Sequence, residues 1–206
     1  MNHIVYVVDD DESVTTALTN LLSSQNYDVA AFSSPDAFLA HPFYPSPCCL
    51  IVDINMPGTD GFGVASALIE RGYSIPTIFL TGFGTIPVTV RAMKAGAFEF
   101  LTKPVDPERL LQAVEEALRI SEDGMASSQQ KLELTARHHS LTPREGEVML
   151  LAIGGLQNKQ IAAEMGISEI TAKVHKRRVM EKMQVRSLSD LVRAAERLNI
   201  EKIRGR

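Results

Sequence analysis

A short apolar run that ends in three acidic residues decides the fold of this chain: HIVYVVDDD, residues 3–11. Three further short apolar runs begin at residues 49, 77 and 98, and another strand is predicted for residues 28–32. Helix-like sequence separates each of these segments from the next. Because such alternation is typical of parallel strands joined by helical crossovers, we predict an α/β fold with a doubly wound, five-stranded parallel sheet.

Several strands end in polar residues that carry chemistry: Asp9, Asp10, Asp53, Thr81 and Lys103. The carboxyl ends of parallel strands share one edge of the sheet, and open α/β sheets bind ligands beyond that edge. Any one of these residues alone would be explained as a solvated turn residue or a helix cap. The five together predict a functional site.

Three neighbouring carboxylates, those of Asp9, Asp10 and Asp53, would repel one another unless they share a cation. A hard divalent ion with oxygen ligands meets that need, so we expect Mg²⁺, or Mn²⁺ in its place. One carboxylate could then attack a phosphoryl group while the metal and Lys103 neutralise the phosphoryl oxygens. The hydroxyl of Thr81 could bond one of those oxygens.

Charge is divided unevenly along the 206 residues. Residues 1–120 carry fourteen acidic and six basic residues, a net charge of −8, whereas residues 121–206 carry eleven acidic and fifteen basic residues, a net charge of +4. This length is enough for two small domains, each with its own core. The imbalance favours a polyanionic partner for the second half, although ordinary charge scatter alone would also produce it.

No apolar run approaches the ~18 residues that a membrane-spanning helix needs. The N-terminus also has no basic region before its short apolar stretch, so we expect a cytoplasmic protein with no membrane partner. The two cysteines, Cys48 and Cys49, are adjacent and offer neither a spaced metal pattern nor a disulfide framework.

The segment 121–140 separates two differently patterned parts of the chain. It is polar and contains Gly124 and the pair Ser127-Ser128, which suits a linker. Leu132 and Leu134 are not typical of a linker, so the segment is either a flexible tether or an extension of the preceding helix. We therefore predict domains at 1–120 and 141–206, with 121–140 between them.

The C-terminal part carries the pattern of a small all-α helix-turn-helix domain. TPRE, residues 142–145, has the form of a capping box with proline at the first helical position. GIS, residues 166–168, supplies a glycine helix end, an apolar anchor and a serine cap for the next helix. A helix, a three-residue turn and a longer helix are typical of the helix-turn-helix.

The longer helix has two different sides. Its buried stripe is predicted at Ala172, His175, Val179 and Met183. Lys173, Val174 and Arg177 project from another side, and Lys176 and Arg178 flank them. Such a side can enter the major groove, where lysine and arginine read guanine edges and an apolar group contacts a thymine methyl. Charge on a helix is more often only a solvated face, but the preceding turn favours DNA binding.

Residues 1–120 resemble the receiver domain of response regulators in two-component signalling, which has a flavodoxin-like fold. The resemblance lies in VVDDD (7–11), VDINMPG (52–58), LTG (80–82) and LTKP (101–104). It implies that Asp53 is the phospho-acceptor. It also implies that Asp10, Asp53 and the Asn55 backbone carbonyl bind Mg²⁺, with Asp9 completing the acidic pocket through a water.

The same resemblance assigns two switch residues. Thr81 would sense the phosphoryl group, and Phe100 would be either a moving aromatic switch or a plain core aromatic. Asp11, the third acid of the first run, is expected at a helix start and not in the site.

The stretch TGFGTIPVTVRAMKAGA, residues 81–97, is similar to the FixJ/StyR/NodW group of regulators. In that group phosphorylation rearranges the fifth strand and the helix before it into a dimer surface. Here that surface would include Val90, Arg91, Lys94 and Phe100. The alternative for exposed positions on this helix is simple solvation. Phe83 departs from the pattern, since many relatives have histidine there.

Residues 141–198 resemble the NarL/LuxR-type DNA-binding domain. The motifs are LTPRE (141–145), GL (155–156), NKQIA (158–162), MGIS (165–168), Thr171 and KVH (173–175). The resemblance implies base contacts from Lys173, Val174 and Arg177 and candidate backbone contacts from Asn158, Lys159 and Thr171. A fourth helix from residue 187 would support DNA-bound dimers.

Together these features predict a transcription regulator that a sensor histidine kinase phosphorylates at Asp53. The modified protein would form a homodimer, bind double-stranded DNA and act with RNA polymerase, most simply as an activator. It is not expected to be an enzyme with an external product. Two alternatives stay open: a constitutive DNA-binding protein with a non-switching receiver used for docking or dimerisation, and an Mg²⁺-dependent phosphatase with an aspartyl nucleophile.

Overall fold

The computed structural model describes residues 3–82, 90–92 and 96–201. Contacts divide the chain into two compact units, Met1–Met125 and Ala126–Arg206. Among the described residues, no helix combines the length and apolar character needed to cross a membrane. The domain limits predicted at residues 120 and 140 stay a prediction.

The first unit is built on a five-stranded sheet. Its strands are β1 (Ile4–Val8), β2 (Asp28–Phe32), β3 (Cys48–Asp53), β4 (Thr77–Thr81) and β5 (Glu99–Thr102). The spatial order is β2-β1-β3-β4-β5, and every neighbouring pair is parallel. The predicted α/β doubly wound sheet is therefore confirmed. The strand order reverses beside β1, so the ends of β1 and β3 form the switch point where such sheets bind ligands.

Helices cover both faces of the sheet. They are α1 (Glu12–Ser24), α2 (Pro35–Ala40), α3 (Gly61–Glu70) and α4 (Pro107–His139). Of the helix predicted between β4 and β5, only residues 90–92 are described, and they are helical. Phe83 and Lys94 lie outside the described residues.

Two buried clusters hold the sheet in place, one on each face. Val5, Val7 and Ile51 pack with α1 and α4, whereas Tyr6 and Val52 pack on the opposite face with α2 and α3. Because β1, β3 and β4 are buried on both faces, they are apolar at successive positions and do not alternate with polar residues. This is why these three strands could be predicted as short continuous apolar runs.

Helix α4 continues through the predicted linker segment, so the extension of the preceding helix is the alternative that the structure bears out. Near its middle, the Ser121 hydroxyl accepts a 3.0 Å hydrogen bond from the Cys48 amide at the start of β3. The His3 ring and the Glu122 carboxylate are 2.6 Å apart. These contacts fix this part of α4 to the amino ends of the strands.

The second unit contains α5 (Pro143–Ile153), α6 (Asn158–Met165), α7 (Glu169–Met183) and α8 (Leu188–Arg197). Gly166 ends α6 in the left-handed conformation at φ 64°, and Ser168 caps α7 by accepting from the Thr171 amide at 3.1 Å. The helix-turn-helix is thus present. Ala172, Val179 and Met183 are buried as predicted, and His175 is half-buried on the same side.

A buried carboxylate joins the first turn of α5 to the last turn of α7. Glu145 Oε2 accepts 2.8 Å from the Thr142 amide and 2.7 Å from Lys182 Nζ, which also donates to the Ser140 carbonyl at 2.9 Å. The hydrogen bonds from Lys182 and from the Thr142 backbone lower the pKa of Glu145 from 4.5 to about 2. The ionised carboxylate therefore joins the start of α5 to the end of α7.

We expect Glu145→Gln to lower the free energy of unfolding of the helical unit by about 2 kcal/mol near neutral pH, because a charge-assisted hydrogen bond is lost. The depressed pKa adds stability that is complete above pH 4.5 and is lost as the pH falls toward about 2. The variant should lose less stability across that window. Hydrogen exchange of the α5 amides in the full-length chain measures both effects.

The matched control is Glu147→Gln, since the one ion pair that Glu147 makes within the described part of the chain is with Arg144 at the surface. Equal exchange protection in the two variants would contradict the structural role of Glu145.

Candidate functional site

The acidic site lies where β1 and β3 end. Val8 of β1 is paired with Val52 of β3. The next residues along the two strands, Asp9 and Asp53, are therefore neighbours. Asp9, Asp10 and Asp53 each offer a carboxylate oxygen within 4.8 Å of the others. Asp9 is 1% exposed and Asp53 is 6% exposed, whereas Asp10 is exposed to solvent. The structure therefore brings the three predicted carboxylates together.

Local backbone geometry places Asp53 within this group. Gly61, the first residue of α3, lies against the end of β3, and its amide donates to the Ile54 carbonyl at 3.2 Å. A Cβ at position 61 would overlap the Asp53 carbonyl, so glycine is required for this approach. Asp11 instead accepts from the Ser13 amide at 2.8 Å and caps α1, as the sequence indicated.

Lys103 is the cation of the site. Its ammonium lies 2.6 Å from Asp9 Oδ2 and 3.0 Å from Asp53 Oδ2. Its amide donates to the Thr81 carbonyl at 2.7 Å, which ties the end of β5 to the end of β4. Burial lowers the pKa of Lys103, but the hydrogen bonds and charges of Asp9 and Asp53 outweigh it, so the pKa is raised. The ammonium is charged at neutral pH.

Asp9 experiences the opposite balance. Burial raises the pKa of its carboxyl, the nearby charge of Asp53 adds to that, and the contacts with Lys103 and the Asp11 amide offset only part. Two buried carboxylates thus share one ammonium, so a second cation bound at this site would be stabilised.

The donor atoms present fit a hard divalent ion. Asp53 Oδ1 is buried and has no hydrogen-bond partner among the described residues. Asp10 and Asn55 line one open cleft at this edge, together with Asp60 and Arg91. Carboxylate and carbonyl oxygens are the ligands that Mg²⁺ prefers, and an unpaired buried carboxylate oxygen is costly without a cation.

The two predicted switch residues lie on the strands beside this site. Thr81 is buried at the end of β4, and its register partner is Thr102. Phe100 is half-buried on β5 and packs against the cluster that includes Phe79 and Ala92. Their roles in switching stay predictions.

Sequence reasoning missed a second cation at the mouth of the site. Arg91 Nη2 is 3.1 Å from Asp60 Oδ2, and its guanidinium carbon lies 4.3 Å from the centre of the Phe62 ring. Asp60 also accepts from the Gly63 amide at 2.8 Å and so caps α3. Arg91 was predicted only as a dimer-surface residue, while the neighbouring Val90 is 48% exposed. A contact between residues so far apart leaves no local pattern in the sequence.

The second candidate surface is α7 of the helical unit. Lys173, Val174, Arg177 and Arg178 are exposed, whereas Lys176 is half-buried. Arg177 Nε donates to Glu181 at 2.7 Å on the exposed side. This arrangement presents cations and the apolar side chain of Val174 on the side of α7 away from the core.

The predicted backbone-contact residues lie at helix starts. Asn158 and Lys159 begin α6, and Thr171 is in the first turn of α7, where its hydroxyl is 2.8 Å from that of Ser168. Lys159 and Thr171 are exposed, and Asn158 is half-buried with Oδ1 unpaired among the described residues. Helix amino ends are suited to phosphate because their amides and dipole favour an anion.

Two regions of the chain match known protein families. Residues 5–115 match the family described as "Response regulator receiver domain", and residues 139–195 match "Bacterial regulatory proteins, luxR family". The chain belongs to the response regulators. Its two matched regions make it a two-component response regulator with a LuxR-type DNA-binding domain. These domains imply a histidine kinase and DNA as partners.

Several relatives of this response regulator match over nearly their whole length. Response regulator protein TmoT of Ectopseudomonas mendocina is 44% identical over 95% of this chain and 89% of its own. Transcriptional regulatory protein FixJ of Bradyrhizobium diazoefficiens is 40% identical over 94% of each chain. The solved structure of response regulator StyR is 44% identical, covers 95% of this chain and 99% of its own, and has a TM-score of 0.85.

We expect Lys103→Met to lower the free energy of unfolding of the first unit by about 3 kcal/mol, because two buried carboxylates lose their shared cation. The pKa of Asp9 should rise further. Since folding already raises this pKa, ionisation of Asp9 weakens folding as the pH rises, and the weakening should be larger in the variant. Urea denaturation and carboxyl-carbon NMR titration of the full-length response regulator measure these changes.

Lys131→Met removes an exposed cation from α4 and serves as the control. An Asp9 titration that is the same in wild type and Lys103→Met would refute the proposed charge balance.

Proposed function

We propose that this response regulator is switched by phosphorylation of Asp53 and regulates transcription as a DNA-bound dimer. The observation that carries the proposal is the buried Asp53 carboxylate, with one oxygen held by Lys103 and the other unpaired among the described residues. A carboxylate held in this way is available as a nucleophile toward a phosphoryl group.

The phosphoryl transfer needs no general base, because the attacking carboxylate is already deprotonated. An Asp53 carboxylate oxygen forms the new bond to phosphorus as the bond from phosphorus to the phosphohistidine nitrogen of the kinase breaks. Lys103 neutralises part of the charge on the phosphoryl oxygens, and the Thr81 hydroxyl donates to one of them. The imidazole leaves with its electron pair and takes a proton from solvent.

We propose that Asp10, Asp53 and the Asn55 backbone carbonyl hold Mg²⁺ or Mn²⁺, with Asp9 contributing through a water. When bound, the ion supplies the positive charge that three carboxylates and a phosphoryl group require. Asp9 then acts mainly by orienting Lys103, its closest charged partner at 2.6 Å.

The switch couples this charge change to the neighbouring elements. In the proposal, Thr81 moves toward the phosphoryl group and Phe100 repacks on β5. The surface that includes Val90, Arg91 and Lys94 then becomes the dimer contact. The ion pair between Arg91 and Asp60 supports such coupling, because it connects the helical residues 90–92 to the start of α3 at the mouth of the site. A local charge event thereby biases a two-state element.

DNA is bound by the helical unit. We propose that Lys173, Val174 and Arg177 face the bases, that Lys176 and Arg178 flank them, and that Asn158, Lys159 and Thr171 contact the backbone. Backbone contacts fix register and affinity, whereas the base-facing residues select sequence. A dimer would occupy paired half-sites and position RNA polymerase. The chemistry is confined to the protein's own aspartate, so no external substrate is turned over.

With a small acyl phosphate and Mg²⁺, the wild-type chain is expected to gain one phosphoryl group, detected by intact-protein mass spectrometry. Asp53→Asn should gain none. Asp10→Asn should need at least ~10-fold more Mg²⁺, because loss of even an outer-shell partner commonly weakens metal binding by 10–100-fold. Chelation of the metal should block labelling of the wild type.

Asp11→Asn is the matched control, since asparagine also caps helices and Asp11 lies outside the carboxylate group. It should be labelled like wild type. Labelling of Asp53→Asn would disprove the assignment of the acceptor. Sustained phosphate release from simple phosphate esters by wild type would favour the phosphatase alternative.

A further inference from the structure

An isoleucine in the first turn of α7 is exposed without an evident structural reason. Ile170 is 78% exposed, the highest value for a large hydrophobic side chain among the described residues. Single exposed apolar residues are common and need no explanation. Ile170 is not single, however, because Val174 lies one helical turn further along and is 45% exposed.

The position of Ile170 on the helix is specific. With 3.6 residues per turn, Ile170, Val174 and Arg177 lie within ~60° of one another on one face. The buried Ala172 and Val179 lie on the opposite face. Ile170 is therefore at the centre of the side that points away from the core, on the same side as the residues proposed to face bases.

The first turn of α7 holds Ile170 in a fixed place. Ser168 caps the helix through the Thr171 amide at 3.1 Å, and the Ser168 and Thr171 hydroxyls are 2.8 Å apart. A β-branched side chain in a helix has essentially one χ1 rotamer, so little entropy is lost when Ile170 makes a contact. The residue presents a rigid methyl surface at the end of the helix that enters the groove first.

We propose that Ile170 contacts the C5-methyl group of a thymine and is a sequence-determining residue of the DNA interface. The inference rests on the proposed function of α7. DNA is favoured over an apolar protein partner because the exposed cations Lys173, Arg177 and Arg178 lie beside the strip formed by Ile170 and Val174. In the major groove only thymine offers an apolar group at the base edge.

The test selects binding sites from a randomised DNA duplex with the full-length chain, treated with an acyl phosphate and Mg²⁺. Wild type, Ile170→Ala and Ile69→Ala are compared. Ile69 is 63% exposed on α3, so it controls for the loss of an exposed isoleucine elsewhere. We expect Ile170→Ala to lose the preference for thymine at one position in each half-site, while Ile69→Ala selects the same motif as wild type.

Replacing that thymine by uracil removes only the methyl group. Burial of one methyl corresponds to about a four-fold change in affinity, so wild type should bind the uracil duplex about four-fold more weakly and Ile170→Ala less than about two-fold more weakly. Equal motifs for wild type and Ile170→Ala, or equal losses on uracil substitution, would overturn the role of Ile170 alone. Failure of wild type to enrich any sequence would instead overturn the proposed DNA-binding function.

Discussion

The ion contacts of Lys103 with Asp9 and Asp53 are the constraint on which the first unit depends. Two carboxylates are buried at adjacent strand ends, and the ammonium 2.6 and 3.0 Å away offsets part of the cost of burying them. The strand order explains why the three residues meet: β1 and β3 are neighbours, and Lys103 follows β5, whose backbone is tied to β4 by the bond from Lys103 to Thr81. The order of the strands therefore determines which charged residues meet at this site.

The sequence predicted this arrangement because the central strands β1, β3 and β4 are almost wholly buried, and each ends at or next to a polar residue, Asp9, Asp53 or Thr81. It could not decide whether residues 121–140 are helical, since Gly124 and the serines disfavour a helix while the leucines favour one. In the structure α4 runs through this segment. Local composition is a weak guide where contacts such as that between Ser121 and Cys48 stabilise the neighbouring turns.

Residues that act through distant contacts were harder to predict. The sequence does not indicate that the carboxylate of Asp60 both caps α3 and pairs with Arg91. Glu145 was predicted as a capping-box residue, and that is confirmed, but its bond to Lys182 could not be seen because it joins residues on different helices. Ile170 lies off the buried stripe of α7, but the sequence alone does not show that its side chain is 78% exposed. In each case the missing information is three-dimensional proximity or solvent contact.

The central claim is that phosphorylation of Asp53 controls DNA binding by the helical unit. Its most direct test measures DNA affinity and oligomeric state for wild type and Asp53→Asn, each with and without an acyl phosphate and Mg²⁺. The account predicts dimer formation and tighter DNA binding only for phosphodonor-treated wild type. The same affinity and oligomeric state in all four samples would contradict it and would favour a constitutive DNA-binding protein whose receiver serves for docking or dimerisation.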